Sequence, residues 1–190
     1  VLGGSCTGLF AAVRAARLGA RVVIVEKQNC FGGVATSGMV NIWHSLYNTT
    51  SEKQIIAGLT YEVTERLMKR KVATLENGNK TGYYSLNTEE LKIELDELAA
   101  ESKIKPYLHT LYTAPYLEDG ELKAVFVENK SGRGAIKAKV FIDATGDGDL
   151  CSHLGLDANL PEIKQPPTTC VRLSGISNLK KSEYDRLLNE

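Results

Sequence analysis

The chain has no excess charge of either sign: 23 Lys and Arg balance 23 Asp and Glu over 190 residues, so its bulk electrostatics attract no polyanion. The densest basic stretch, Lys69-Arg70-Lys71, reads as a solvated helix end, and no basic-aromatic interleaving suggests a nucleic-acid partner. Long apolar runs are missing as well. No segment approaches the roughly 20 residues that a bilayer requires, so no membrane partner is expected. Cysteine is scarce: Cys6, Cys30, Cys151 and Cys170 show neither a C-x-x-C pair nor metal-ligand spacing. A disulfide scaffold, dithiol chemistry and a bound metal are therefore not expected, and a reduced, cytoplasmic setting is the default. There is no visible secretory signal, internal repeat or low-complexity tract.

What is present begins at once. Val1-Leu2-Gly3-Gly4-Ser5-Cys6-Thr7-Gly8 leads into an Ala-rich helix pattern (Ala11, Ala12, Ala15, Ala16) that stops at Gly19, and then into the apolar strand Arg21-Val22-Val23-Ile24-Val25 ending in Glu26. Strand, glycine turn, helix, strand and terminal acid together form a dinucleotide-binding unit. The turn spacing is G-x-S-x-x-G, one residue from G-x-G-x-x-G. In that pattern Gly3 makes the tight turn, Ser5 stays small where backbone approaches a pyrophosphate, and Gly8 lets helix and strand pack closely. The diphosphate rests on free N–H groups at the helix N-terminus, where the dipole favours negative charge. Glu26 lies 23 residues past Gly3, close to the roughly 20 expected for the acid that holds a ribose. Only Val1 and Leu2 precede the turn, whereas a strand usually has about five or six residues, so the chain is expected to be part of a longer protein.

Further along, a loop from Asn29 to Gly38 is too glycine-rich for regular structure and suits close backbone approach. Ile55, Leu59, Val63 and Leu67 recur at steps of four, predicting a helix over about residues 52–71. A second helix starts near Asn87 or Thr88. Asn87 and Glu90 outline a capping box, and Leu91, Leu95 and Leu98 form its buried stripe. From Ile104 to Ala144 the pattern turns to strands. Asp119-Gly120 and Ser131-Gly132-Arg133-Gly134 punctuate an antiparallel meander, and Lys139-Val140-Phe141-Ile142-Asp143 carries an apolar core back to the main sheet. Beyond Asp157 the prolines Pro161, Pro166 and Pro167 interrupt the chain, and residues 168–173 are expected to start a strand of a new domain. The expected division is 1–157, with a helical insertion at about 40–103, and 158–190 as a truncated second domain.

Three signatures now stand in order: the Gly3–Gly8 turn with Glu26-Lys27, then Phe31-Gly32-Gly33-Val34-Ala35-Thr36-Ser37-Gly38, then Asp143-Ala144-Thr145-Gly146-Asp147-Gly148-Asp149. Together they resemble the FAD-dependent oxidoreductases of the glutathione-reductase-like superfamily, most closely a bacterial subfamily with a D-A-T-G-D-G-D motif. The resemblance implies an α/β fold: a Rossmann-like parallel sheet, an antiparallel meander and the start of a substrate domain. It implies noncovalent FAD. Gly3, Gly4, Ser5, Cys6, Thr7 and Gly8 would surround the pyrophosphate, and Glu26 with Lys27 the adenosine ribose. Gly32, Gly33, Ala35 and Thr36 would line the chain leading to the flavin, and the backbone of Tyr112 would hold adenine. Ala144, Thr145, Gly146 and Asp147 match the second adenine-side motif. Asp147 and Asp149 would repel a phosphate, so capping the following helix is the role expected of at least one of them.

Catalytic residues are not named by the sequence. His44 follows the cofactor loop, and histidine is the side-chain type that changes charge near neutral pH, which makes it the one candidate for proton transfer; the other reading is a hydrogen-bonded loop histidine. Thr36, Ser37, Asn41 and Trp43 are the other side chains expected near the ring. His109, His153 and Cys30 read as structural. The first unit alone does not separate FAD from NAD, so a nicotinamide-dependent dehydrogenase and a nucleotide-binding module without turnover stay open beside the flavin enzyme. The partner expected is a small-molecule substrate, with homo-oligomerisation left open.

Overall fold

The computed structural model describes residues 1–78, 82–157, 166–175 and 179–189. Its centre is a short parallel sheet. Strand β1 (Val23–Val25) pairs in parallel with β5 (Lys105–Tyr107), and Leu2 bridges Val25 on one side and Asp143 on the other, both in parallel. The order across the sheet is therefore β5, β1, Leu2, Asp143. The first and last segments are sewn in by backbone: Gly3 N–H donates to Val25 O (2.8 Å), Leu2 N–H to Ile142 O (2.9 Å) and Ala144 N–H to Leu2 O (2.7 Å). Only the end of the expected 139–143 strand joins the sheet, and Val140 is 74% exposed. Side chains alternate across the sheet as strand geometry dictates. Ile24 enters one core, with α1 (Cys6–Arg17), α2 (Leu59–Lys69) and α3 (Thr88–Glu101); Val25 and Leu2 enter another, with Tyr112, Val125, Val127 and Leu150.

That second core is roofed by the meander β6 (Leu111–Glu118), β7 (Glu121–Asn129) and β8 (Gly132–Lys137), all antiparallel. Asp119 and Gly120, both at positive φ, form its first turn. The second turn is Lys130-Ser131, because Asn129 pairs with Gly132; the glycines expected after the strand lie inside β8. Asn87 caps α3, its Oδ1 accepting the N–H of Glu89 (3.0 Å) and Glu90 (3.3 Å), but the expected box does not close, since the Asn87 N–H donates to Val72 O and the Glu90 carboxylate pairs with Arg70; Leu91, Leu95 and Leu98 are fully buried as expected. The helix expected from residue 52 starts only at Leu59, behind Gly58 at φ +66; Ile55 stands outside it, 61% exposed. Residues 40–103 are not purely helical: they also fold a three-stranded antiparallel sheet, β2 (Ile42–Trp43), β4 (Tyr83–Leu86) and β3 (Ala73–Glu76) in that order.

Arginines of α2 tie the helices together. Arg17 of α1 makes a two-pronged pair with Glu62 (2.7 and 2.8 Å), and Arg66 bonds Glu62, Glu94 and Glu101. Glu94, 2% exposed, also accepts from Arg70. A short helix, α4 (Asp149–His153), follows the sheet, and α5 (Lys181–Asn189) closes the described chain. Residues 166–174 carry no regular structure, so no strand forms over 168–173; the Arg172 guanidinium donates to Thr88 Oγ1 (3.0 Å). Pro161 and the expected boundary at 157/158 fall at or within 158–165, outside the described residues.

Candidate functional site

The glycines of the first turn are there because nothing larger fits. A Cβ on Gly3, which sits at φ +91, would lie 2.1 Å from Ala144 O; one on Gly4 would lie 2.8 Å from Glu26 Cβ and Phe31 Cδ1; one on Gly8 would lie 2.0 Å from Gly3 O. Gly8 is thus crowded by the turn itself and by the returning 142–144 segment. Ser5 has φ −60 and ψ 172, an extended backbone that any residue adopts, and its Oγ accepts the Gly8 N–H (3.4 Å) as the N-cap of α1. The N–H groups of Cys6 and Thr7, in the first turn of that helix, have no intrahelical acceptor, which is the arrangement by which a helix N-terminus can hold an anion.

The second glycine loop lies directly on the first turn. Gly32 N–H donates to Gly4 O (2.9 Å), the Cys6 thiol donates to Gly32 O (3.7 Å), and a Cβ on Gly33 would come within 3.1 Å of Ser5 Cβ. Burial pushes the Cys6 thiol up to about 11, which keeps it protonated as that donor. Gly33–Ala35 form a single 3-10 turn, and Thr36, 1% exposed, turns its hydroxyl inward to Phe31 O (2.7 Å).

Glu26 closes the turn from the other side. Its Oε2 accepts the Gly4 N–H at 2.6 Å and its Oε1 the Gln28 N–H at 2.7 Å, with only 7% of the residue exposed. A cleft opens beside it, walled by Gly3, Glu26, Lys27, Thr110, Leu111, Tyr112, Thr145 and Asp149. Tyr112 lines the cleft, and its buried ring packs 5.5 Å from the His153 ring with its hydroxyl 3.0 Å from His153 Nδ1. Burial, with Asp143 and Asp149 nearby, pushes the Tyr112 phenol up to about 12, so it stays neutral.

The far wall is held by Asp143. Its carboxylate accepts from Thr145 N–H (3.1 Å), Thr145 Oγ1 (2.8 Å) and Cys151 N–H (3.0 Å), and Thr145 Oγ1 in turn accepts the Asp149 N–H (3.0 Å). Asp143 and Thr145 therefore cap α4. Neither Asp147 nor Asp149 caps it by side chain: the N-cap position is Gly148 at φ +71, Asp149 is the first helical residue, and Asp147 and Gly146 are exposed. Sequence reasoning missed the role of Asp143, Thr110 and Leu111; the only signal was their place at strand ends beside the glycine turn.

Gly3, Gly4, Ser5, Cys6, Thr7, Gly8, Glu26, Lys27, Gly32, Gly33, Ala35, Thr36, Tyr112, Ala144 and Thr145 thus gather around one turn and its cleft. His44, just beyond β2, is exposed. Trp43 packs against the first core, and Cys30 Sγ lies 3.4 Å from Ser37 Oγ. Among the described residues no three His, Cys, Asp or Glu side chains are grouped to hold a metal ion, and no helix is long and apolar enough to cross a membrane.

A glycine turn that leaves no room for a Cβ at Gly3, Gly4 or Gly8, a helix N-terminus behind it and the Glu26 carboxylate beside it suit a nucleotide diphosphate, which two classes of cofactor share. The sequence model of the family described as FAD dependent oxidoreductase matches residues 1–189 and decides between them. The chain belongs to the FAD dependent oxidoreductase family. Its cofactor is FAD. Three solved structures share the fold of this flavoprotein. THI4 of Thermovibrio ammonificans is 19% identical at a TM-score of 0.55, covering 80% of this chain and 59% of its own. A geranylgeranyl bacteriochlorophyll reductase-like protein of Thermoplasma acidophilum is 18% identical at 0.57, covering 82% and 41%. A flavoprotein/dehydrogenase of Cytophaga hutchinsonii is 16% identical at 0.57, covering 84% and 42%. The chain thus spans between two fifths and three fifths of those structures' lengths. A search of curated protein sequences gives no match.

Proposed function

We propose that this chain holds the ADP portion of FAD in the cleft between Glu26 and Thr145, and that the whole protein passes electrons from a small organic substrate through the flavin. The observation that carries the reading is the meeting of three sequence-distant segments on one cleft: the Gly3–Gly8 turn, Glu26 and the 143–149 turn. The pyrophosphate lies on the N–H groups of Cys6 and Thr7 and the glycines beside them. The Glu26 carboxylate, already holding two backbone N–H groups, has lone pairs left for the ribose hydroxyls. Adenine lies along the backbone of residues 110–112, and Gly32, Gly33, Ala35 and Thr36 carry the ribityl chain away from the turn. Bound FAD supplies the two-electron chemistry; the protein binds it, orients it and keeps water from it. The likeness to the glutathione-reductase-like superfamily and to its D-A-T-G-D-G-D subfamily belongs to the same reading, with residues 1–157 as the FAD-binding unit and 158–190 leading into a substrate domain.

The test is direct. Full-length protein should purify yellow, and denaturation followed by chromatography should release intact FAD. Recovery of FMN or NAD from a protein that cannot be reconstituted with FAD would overturn the assignment, and a flavin that no organic donor reduces would overturn the oxidoreductase half.

A further inference from the structure

The wall of the proposed adenosine cleft that faces Glu26 is formed by Thr145 and Asp149, and it depends on a carboxylate that does not line the cleft. Thr145 and Asp149 face the cleft; Asp143 is not among the cleft's lining residues. Yet both facing residues are fixed through Asp143. Its Oδ1 takes the Thr145 N–H and hydroxyl, its Oδ2 takes the Cys151 N–H, and the Thr145 oxygen passes the tie on to the Asp149 N–H. These contacts replace a cap that α4 does not have from its own N-cap residue, a glycine. Without them a five-residue helix has little to hold it, since a single turn of helix is unfavourable alone. Leu150, 4% exposed, seats the same helix in the core beside Leu2 and Val25, so the Asp143 tie fixes the wall to the sheet that carries the glycine turn.

We infer that Asp143 is a positioning residue for the cofactor: through Thr145 and the start of α4 it sets the cleft wall against which the adenosine half of FAD binds. The inference rests on the proposed ADP site. Asp143 is ionised for this task. Burial pushes its carboxyl up, but the N–H donors of Cys151 and Thr145 and the Thr145 hydroxyl outweigh that and leave it below the ordinary aspartate value. Asparagine at this position keeps one oxygen for Thr145 but turns an N–H₂ toward the Cys151 N–H, two donors face to face.

The experiment uses full-length apoprotein, titrated with ADP and with FAD by fluorescence, for wild type, Asp143→Asn, Thr145→Val, Thr145→Ser and the double variant Asp143→Asn/Thr145→Val. Folding is checked by circular dichroism, and all titrations are run well below each melting temperature. Asp143→Asn should weaken ADP and FAD by the same factor, about tenfold, the size of one lost hydrogen bond to a charged group. Thr145→Val should do likewise, the double variant should be no weaker than the worse single one, and Thr145→Ser, which keeps the hydroxyl relay, should lose less affinity than Thr145→Val. A folded Asp143→Asn with wild-type ADP affinity, or equal affinities for Thr145→Val and Thr145→Ser, would overturn the inference. If Asp143→Asn does not fold, amide hydrogen exchange at Asp149 in folded Thr145→Val decides it: faster exchange together with weaker ADP binding supports the tie, and wild-type exchange overturns it. Failure of the wild type to bind ADP or FAD would instead overturn the site on which the inference stands.

Discussion

Replacing Glu26 by glutamine should destabilise the protein before any cofactor is added. The carboxylate accepts one backbone N–H on each oxygen, from Gly4 at 2.6 Å and Gln28 at 2.7 Å, in a residue only 7% exposed. Glutamine offers one oxygen and one N–H₂. Whichever way the amide turns, one of the two backbone donors meets another donor and loses its acceptor. The lost charge-assisted bond is worth about 1.5–3 kcal/mol, and stranding a buried N–H adds about 1–3 kcal/mol; since local shifts recover part of this, the expected cost is about 2–4 kcal/mol. For a chain of this size that corresponds to a drop of roughly 5–15 °C in melting temperature.

The assay is a thermal melt of full-length apoprotein beside an FAD titration of the same sample. If Glu26 only touched the ribose, Glu26→Gln would weaken FAD and leave the apoprotein melt unchanged. If it also anchors the turn, as its two backbone bonds require, both readings shift together. An apoprotein variant melting within about 1 °C of wild type would refute the anchoring role.

Gly8→Ala should abolish FAD binding, because the new methyl would sit 2.0 Å from Gly3 O, whereas Gly146→Ala, with open space around its Cβ but φ +89, should cost only about 1 kcal/mol of stability; cofactor content of the purified variants separates the two. Cys6, with its thiol pushed up to about 11 by burial, should react with iodoacetamide at pH 8 roughly a hundredfold more slowly than an ordinary thiol, as peptide mass analysis after timed quenching will show. Glu94→Ala removes the 2%-exposed acceptor shared by Arg66 and Arg70 and should cost about 2–3 kcal/mol in denaturant melts, since both arginines keep other acids, while the exposed Glu97→Ala should change stability by less than about 0.5 kcal/mol. Hydrogen bonds from Arg17 hold Glu62, and from Arg66 hold Glu101, below the ordinary glutamate range, and Asp143 is likewise lowered, so the unfolded chain takes up protons first on acidification. Their stabilisation is complete above about pH 5 and lost as pH falls through the lowered folded values, so melts should be flat from pH 7 to about 5 and drop steeply below about 4; a drop already at pH 6 would contradict these shifts.

The parts legible in the sequence are those whose physics is local. A glycine turn before an apolar helix, an Asn87 cap over a leucine stripe, and an Asp-Gly hairpin each carry their cause within a few residues, and each formed where expected. The parts missed depend on what lies across the fold. Ile55 keeps the helical period, yet Gly58 at φ +66 breaks the segment and leaves Ile55 in solvent, because nothing in the core reaches it. Tyr83-Tyr84-Ser85-Leu86 has no strong strand signature alone and becomes a strand only between two partners, β2 and β3. Asp147 and Asp149 lie close enough in sequence to be read as caps of α4, but the strand end places Asp143 beneath the helix: its Oδ2 takes the Cys151 N–H, and the Thr145 hydroxyl it holds takes the Asp149 N–H.

The same contrast explains why a serine stands where the dinucleotide pattern has its second glycine. The two pattern glycines that remain, and Gly4 between Gly3 and Ser5, are each crowded by protein: Gly3 by Ala144, Gly4 by Glu26 and Phe31, Gly8 by Gly3. Position 5 is different in kind. Its φ is negative, so a Cβ costs no strain, and its hydroxyl supplies the cap on Gly8 N–H that a glycine could not. The room that a second glycine would leave for a pyrophosphate is narrowed by one small side chain, but that side chain bonds back along its own helix, and in the proposed site the anion would still meet the Cys6 and Thr7 N–H groups. In the proposed ADP site the grip would be set by backbone that three glycines allow to approach and one carboxylate, Glu26, holds in place, while Ser5 contributes to the helix cap rather than to the approach.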